Sequence, residues 1–345
     1  AYEIASCLVG SEMCIRDRPK GNYADLKTKG WELTLSWRDN FKLAGSDFHY
    51  GVKFMLWDSQ SWITKYNNAT GKLSDYYEGY RIGDIWGYNI EGLFTSYDEI
   101  ANHADQDYMK ISDSKIWQPG DLKFADLNGD GKIDKGAQTL SDHGDLVIVG
   151  NEEERYHYGF NLNVGWKGIG ISAFFQGVGK RDWYPGQETG FFWGKYNRPY
   201  GYSLKMHENR WTEENPNPNA YWPRLVGYSS ENGGRPMGTP NNRYMQDASY
   251  LRLKALTVDY SLPQAWVSKL GLTGLKIYFT GENLFTFSNV CENFDPEVIK
   301  GGDVDLKDRK GEEQGYSYPM LKTYTVGLNA VSYTHLRAHE TRGNL

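Results

Sequence analysis

Positions 31–38 alternate between two kinds of residue. Trp31, Leu33, Leu35 and Trp37 are apolar, and Glu32, Thr34, Ser36 and Arg38 between them are polar. Successive side chains of a strand point to opposite faces, so this stretch predicts a strand with one apolar face closed by tryptophan at each end. The pattern returns at 48–58, where Phe48, Tyr50, Val52, Phe54 and Leu56 share a face. It returns again at 156–166, with Tyr158, Phe160, Leu162, Val164 and Trp166 on one face and His157, Gly159, Asn161, Asn163 and Gly165 on the other. Gly168-Ile169-Gly170 predicts a tight turn into a strand at 171–177, which makes a hairpin. In 249–260 the phase slips: Leu251 and Leu253 are in step, then Leu256, Val258 and Tyr260 are. A bulge near Ala255 would absorb the slip and keep the apolar set on one face. Strands at 275–281 and 324–330 follow, and a short aromatic run at 85–88 brings the total to roughly eight. Ser96 ahead of Asp98 and Glu99 reads as the N-cap of a helical stretch within 97–116. Residues 180–248, rich in Gly, Pro, Asn and aromatics, read as one long loop.

Two architectures alternate in this way. In a transmembrane barrel the apolar face meets lipid and the polar face a wet lumen, with aromatics at the interfaces. In a soluble sandwich one face is core and the other solvent. The outward mid-span positions of 31–37, 158–166 and 324–330 hold no polar residue, which favours lipid. Each strand offers about 9–11 residues, enough to cross a bilayer at a tilt. A long unstructured loop is out of place in a compact soluble domain and expected at the extracellular rim of a barrel. The predicted fold is therefore all-β, a partial transmembrane antiparallel barrel with long extracellular loops.

Composition narrows this further. The 345 residues are 15% aromatic. Mean hydropathy is -0.67. No run of 18 apolar residues exists to make a transmembrane helix, and a barrel needs none. A net charge of -6 argues against nucleic-acid partners. The same aromatic richness suits sugar binding, so the alternative is a secreted β-rich carbohydrate-binding or glycan-degrading module with a structural calcium.

The ends read differently from the rest. Residues 1–18, with Ser6-Cys7-Leu8-Val9-Gly10-Ser11, and residues 331–345, with Ser332-Tyr333-Thr334-His335-Leu336, resemble translated sequencing-adapter strings. A signal peptide fits the head badly: Leu8-Val9 is no apolar core, and Glu3 and Glu12 stand where basic residues belong. The expectation is that 1–18 and 331–345 are artefact and that 19–330 is a piece of a longer protein. Setting the head aside leaves only Cys291, too few thiols for a disulfide framework or a metal cluster.

One motif carries site chemistry. Residues 126–134 match the first nine positions of an EF-hand-type loop. Asp126, Asn128 and Asp130 would offer side-chain oxygens to Ca2+, Lys132 its carbonyl, and Asp134 a direct or water-bridged ligand. The twelfth position is Ala137 rather than Glu, and Asp142 or Asp145 would have to close the shell. The other reading is an Asp/Asn/Gly turn held by its own Asx bonds. An ion here would stiffen a loop; no other cofactor is indicated. Trp183, Trp193, Trp211 and Trp222 would either stack on sugar rings or pack the loops together. His49, His103, His143, His157 and His207 lack ligand spacing, and Glu152-Glu153-Glu154 reads as a solvated turn, so no catalytic constellation emerges.

Five ordered blocks then resemble the SusC/RagA-type TonB-dependent outer-membrane transporters. They are 119–134, 158–162 with 174–177, 250–254, 281–286, and the closing 318–329. They correspond to roughly the C-terminal third of that family's barrel. The resemblance implies a plugged barrel of about 22 strands in the outer membrane of a Bacteroidetes-type bacterium. It further implies import of oligosaccharides foremost, or of peptides, with a SusD-like surface lipoprotein as lid and energy from the TonB complex. The plug and the TonB-contacting segment are not in this sequence.

Overall fold

The computed structural model describes residues 24–110, 116–187, 189–198, 200–227, 235–299 and 317–332. The expected adapter stretch 1–18 and all of 331–345 except Val331 and Ser332 lie outside the described residues. In chain order the strands are β1 (Ala24–Leu43), β2 (Ser46–Tyr66), β3 (Asp84–Gly87), β4 (Ile90–Leu93), β5 (Leu122–Phe124), β6 (Val147–Asn151) and β7 (Arg155–Trp166). Then come β8 (Ile169–Lys180), β9 (Asp182–Trp183), β10 (Gln246–Asp247), β11 (Tyr250–Ser261), β12 (Gly274–Ser288) and β13 (Thr323–Val331).

Seven of them form one antiparallel sheet in the order β1-β2-β7-β8-β11-β12-β13. Its register turns the alternation of the sequence into continuous faces. Leu35, Phe54, Phe160, Phe175, Leu253 and Phe285 lie in one cross-strand row. Trp37, Val52, Leu162, Ala173, Leu256, Gly281 and Tyr324 lie in the next row on that face. On the opposite face a row runs Arg38, Gly51, Asn163, Ser172, Thr257, Thr280, Thr325. Its members bond sideways, Ser172 Oγ to Asn163 Oδ1 at 2.8 Å and Thr257 to Thr280 at 2.9 Å. On the apolar face Leu35 is 57% exposed and Phe285 59%, while Ala173 and Leu253 between them pack with Leu284.

The dimensions suit a bilayer. The outward positions from Trp31 to Phe41 span ten residue steps, about 34 Å of strand, which at a tilt of about 45° covers about 25 Å of membrane. Asp39 is the one charged residue among the outward positions of β1 between them. It stands opposite Tyr50, whose hydroxyl accepts from Trp37 Nε1 at 3.1 Å, beside the contact of Phe41 and Phe48. A carboxylate inside this aromatic belt sits at the membrane interface, not in hydrocarbon.

The glycines of the polar face have a packing cause. A Cβ on Gly165 would lie 2.0 Å from His49 Nε2, and one on Gly327 would lie 2.1 Å from the Tyr278 ring. Large lumen side chains lie flat across the neighbouring strand, and only glycine leaves them room.

The two rims differ. At one, Ala44-Gly45 joins β1 to β2, Lys167-Gly168 joins β7 to β8, and a short helical link spans β11 to β12. At the other, residues 67–154, 181–249 and 289–322 make the connections, and their described parts pack into a single apolar core. The stretch read as one long loop is therefore folded, with short helices, the β9·β10 ladder and buried rings. The strands are also longer than expected, with β1 of 20 residues and β2 of 21. They outrun the membrane band because their upper ends serve the loop domain, where Trp62 bridges to Arg81. The short run at 85–88 falls largely in the β3·β6 ladder of that domain, so among the described residues the wall has seven strands where roughly eight were expected. The predicted N-cap is present, with Ser96 Oγ accepting from Glu99 N, but the helix ends at Ala101. The register shift in β11 falls between Leu253 and Ala255, where the phase slip put it.

The parity of the wall is open to test in the full-length protein. Leu162→Arg, outward in mid-span, is expected to cost about 2–4 kcal/mol and to abolish heat-resistant migration in detergent gels. Asn161→Arg, one residue along and lumen-facing, is expected to leave that migration intact.

Candidate functional site

The loop domain is built on aromatic stacking. Trp222 is fully buried, with Tyr196 on it at 5.3 Å and 15° and Tyr244 on it at 5.3 Å and 22°. Its Nε1 donates to Met206 O, and Trp193 Nε1 donates to Gly186 O. Trp183 packs on Phe294, and Trp211 lies against Gly120, where a Cβ would come within 2.3 Å of the indole. None of these four tryptophans is more than 8% exposed. As sugar-stacking candidates they have no ring face left for a ligand, and the burial gives them to loop packing.

His207 belongs to the same core. Its Nδ1 accepts from Leu204 N and its Nε2 meets Phe192 O, so both nitrogens are used by the neutral ring. Burial holds its pKa below the ordinary histidine range.

A buried charge cluster ties this domain to the wall. Arg252, 2% exposed on the lumen side of β11, donates to Thr286 Oγ1 at 2.9 Å, Glu297 Oε2 at 2.5 Å and Asp295 Oδ1 at 2.6 Å. Lys254 adds a second contact to Glu297 at 2.8 Å. Asp295 Oδ2 accepts from Met320 N, and Arg181 reaches Pro296 O, Ile299 O and Glu154. Glu154 is thus paired rather than simply solvated. The sequence marked Arg252 and Lys254 only as part of a family block. Nothing in their spacing pointed to carboxylates some 40 residues on.

In the calcium-like loop the side-chain oxygens are engaged by the loop's own backbone. Asp126 accepts from Gly129 N and Gly131 N, Asn128 from Asp130 N, Asp130 from Lys132 N, and Asp134 from Gly136 N. Lys132 bridges backbone to backbone with Asp105. Asp145, one of the two residues thought able to close the shell, does reach the loop. It accepts from Leu127 N and Asp134 N, and burial pushes its carboxyl up. Among the described residues no three His, Cys, Asp or Glu side chains converge as metal ligands would.

One lumen-facing feature escaped the sequence reading. Trp57 stacks on His157 with centroids 5.2 Å apart and planes 6° apart. The signal was there: Trp57 is an aromatic on the polar parity of 48–58.

No family model matches the chain. It is similar to TonB-dependent receptor P3 of Formosa agariphila, 26% identical over 323 residues that cover 89% of this chain and 29% of that protein. TonB-dependent receptor P26 of the same organism is 28% identical over 320 residues, again 89% of this chain and 29% of the relative. The chain thus spans under a third of the length of the curated relatives it matches. In structure it is similar to the RagAB peptide transporter, with a TM-score of 0.57 and 19% identity over 90% of this chain and 30% of that one. The RagAB peptide importer in its open-open state gives a TM-score of 0.56 at 18% identity over 89% of this chain. The chain is thus similar to TonB-dependent receptors in sequence and to RagAB in fold.

Two outcomes follow. Arg252→Ala leaves Asp295 and Glu297 buried without their cation. It is expected to cost about 3–5 kcal/mol and to open residues 289–299 to hydrogen exchange. His207 binds its proton less readily folded than unfolded. Its contribution is therefore full above the unfolded pKa of about 6.5 and is lost as pH falls toward the lower folded value. Thermal melts from pH 7.5 to 5 are expected to drop, and less so in His207→Gln.

Proposed function

We propose that this chain is the C-terminal part of an outer-membrane barrel that imports a nutrient under TonB drive. The observation that carries the reading is the wall itself: continuous apolar rows outside, polar rows inside, two tight turns and a short helical link at one rim and a folded loop domain at the other. The outer membrane is the location that fits this face and the relatives' class. The protein is a transporter part and not an enzyme, since its relatives are receptors and its structural neighbours transporters. The loop rim would carry a SusD-like surface lipoprotein in a SusCD-like complex, and the remainder of the protein would meet TonB.

For substrate class we keep oligosaccharides first. The lumen row of Asn163, Ser172, Thr257, Thr280 and Thr325 offers hydroxyls and an amide, the groups that match neutral sugar hydroxyls. Peptide is the alternative, supported by the likeness in fold to the RagAB peptide transporter. A structural Ca2+ on Asp126, Asn128, Asp130, Lys132 and Asp134 is supported by the hard-oxygen donor set alone. Calorimetric titration of the full-length protein with calcium tests it. Heat that Asp126→Ala abolishes is expected, and a silent titration leaves the hydrogen-bonded turn as the whole account.

The deciding experiment on transport uses the full-length gene. Its deletion is expected to abolish growth on an oligosaccharide as sole carbon source, with rescue requiring TonB. Growth lost only on peptides would move the substrate class, and a gene product found in the secreted fraction would overturn the membrane reading.

A further inference from the structure

The lumen wall keeps one aromatic pair outside the loop core. Leu56 and Phe54 face outward, so Trp57 faces in, and it remains 38% exposed while one face of its indole lies on His157. Strand β2 runs between β1 and β7, so the other face of the ring turns toward β1. The residue directly opposite Trp57 on β1 is Glu32. Paired residues on one face of an antiparallel sheet have Cβ atoms about 5 Å apart, within reach of an indole and a carboxylate. Glu32 is exposed, and among the described residues its carboxylate has no ion-pair or hydrogen-bond partner.

The neighbouring lumen positions leave that charge uncompensated. On the long-loop side the next facing pair is Gly30 and Ser59. On the other side the row runs Thr34, Met55, Gly159, Gln176 before it reaches Arg252, whose charge Asp295 and Glu297 already balance. Lys53 stands four residues from Trp57, about 14 Å along the strand. Behind the stack, Glu154 Oε2 is 3.8 Å from His157 Nδ1 and shares its charge with Arg181. An open indole face beside an unpaired carboxylate favours a cation over a neutral group, because the ring quadrupole and the carboxylate both attract positive charge. The pair also sits at the mouth of the lumen. Asp58, next in the chain, stands opposite Trp31, the outward tryptophan that closes the apolar face of β1 at the long-loop end.

We propose that Trp57 and Glu32 form a subsite for a cationic sugar unit, a hexosamine with a free amino group. Such a ring offers both features the site asks for: a flat C–H face for the indole and an ammonium at its edge for Glu32. His157 backs the platform, and strand register fixes the spacing of Trp57 and Glu32, so the subsite is rigid. The inference rests on the oligosaccharide-import reading and adds to it the charge of the sugar and the height on the wall at which it is held.

The test uses the full-length transporter at neutral pH and three β-1,4-linked tetrasaccharides that differ at one ring position: free amine (glucosamine), N-acetyl and hydroxyl (cellotetraose). Binding is read by tryptophan fluorescence and calorimetry. The free-amine probe is expected to bind about tenfold tighter than the other two. Glu32→Gln is expected to erase that preference, Trp57→Ala to weaken binding of the free-amine probe about tenfold, and Trp57→Phe to restore most of it. Retained heat-resistant migration checks that each variant folds. Equal affinity for the three probes, unchanged affinity in folded Glu32→Gln, or no binding of any of them overturns the subsite. So does dependence on Trp57 and Glu32 that is confined to a tetralysine probe, which would make the ligand a basic peptide. TonB-dependent uptake of an oligosaccharide that Glu32→Gln and Trp57→Ala leave unchanged keeps the import reading and removes the subsite. Binding of the free-amine probe that Glu32→Gln weakens, without TonB-dependent uptake, does the reverse.

Discussion

A bilayer interior offers no water to a backbone N–H or C=O, so each must find a partner in the protein. The sheet of β1, β2, β7, β8, β11, β12 and β13 answers that constraint by pairing strand to strand over its whole width. Pairing then fixes parity, and parity fixes everything else. One residue of slip in β1 would put Glu32, Thr34, Ser36 and Arg38 into lipid. The shift between Leu253 and Ala255, matched by a break in β12 around Asn283, shows the chain spending a residue to keep Leu251, Leu253, Phe285 and Phe287 on the lipid side.

Because lipid takes the apolar half of the wall and the lumen the polar half, the wall itself holds little conventional core; among the described residues its buried cluster is Ala173, Leu253 and Leu284. The large core lies in the loop domain, among Trp183, Trp193, Tyr196, Trp222 and Tyr244. This division explains a chain with low mean hydropathy and many aromatics. Rings with an N–H or O–H are buried in short loops at least cost where the polar tip reaches a backbone carbonyl, as Tyr184 reaches Met237 O and Tyr196 reaches Pro223 O. The Arg252 cluster joins the two parts, holding the last long connection against the inside of the wall.

The strands were legible in the sequence because period two is a local signal. Residues 31–38, 48–58 and 156–166 declare it over short windows, and the bulge in β11 showed as a slip of phase. The loop domain was not legible for the opposite reason. Its core pairs Trp183 with Phe294 and Tyr88 with Phe124 across long separations, and aromatics among Gly, Pro and Asn carry no period. Composition alone left the four loop tryptophans open to a sugar-stacking role, which their burial in the loop core takes from them. The wall count came out one too high because 85–88 has strand character without a place in the sheet. The calcium-like loop shows a further limit: the residues that suit a hard cation also suit an Asx-bonded turn, and spacing alone does not separate the two.

The unequal rims also set an order of assembly. The Ala44-Gly45 and Lys167-Gly168 turns let β1·β2 and β7·β8 zip up as local hairpins, on the microsecond scale typical of such units. Joining β2 to β7, or β8 to β11, means closing a long stretch of intervening chain first. That closure costs entropy before any contact repays it, and contacts of high sequence separation are the slow ones. A loop domain that collapses on its own aromatics would shorten both closures, bringing strand ends together as a preformed clamp. The crown on the long-loop rim then serves as the scaffold on which the wall is completed.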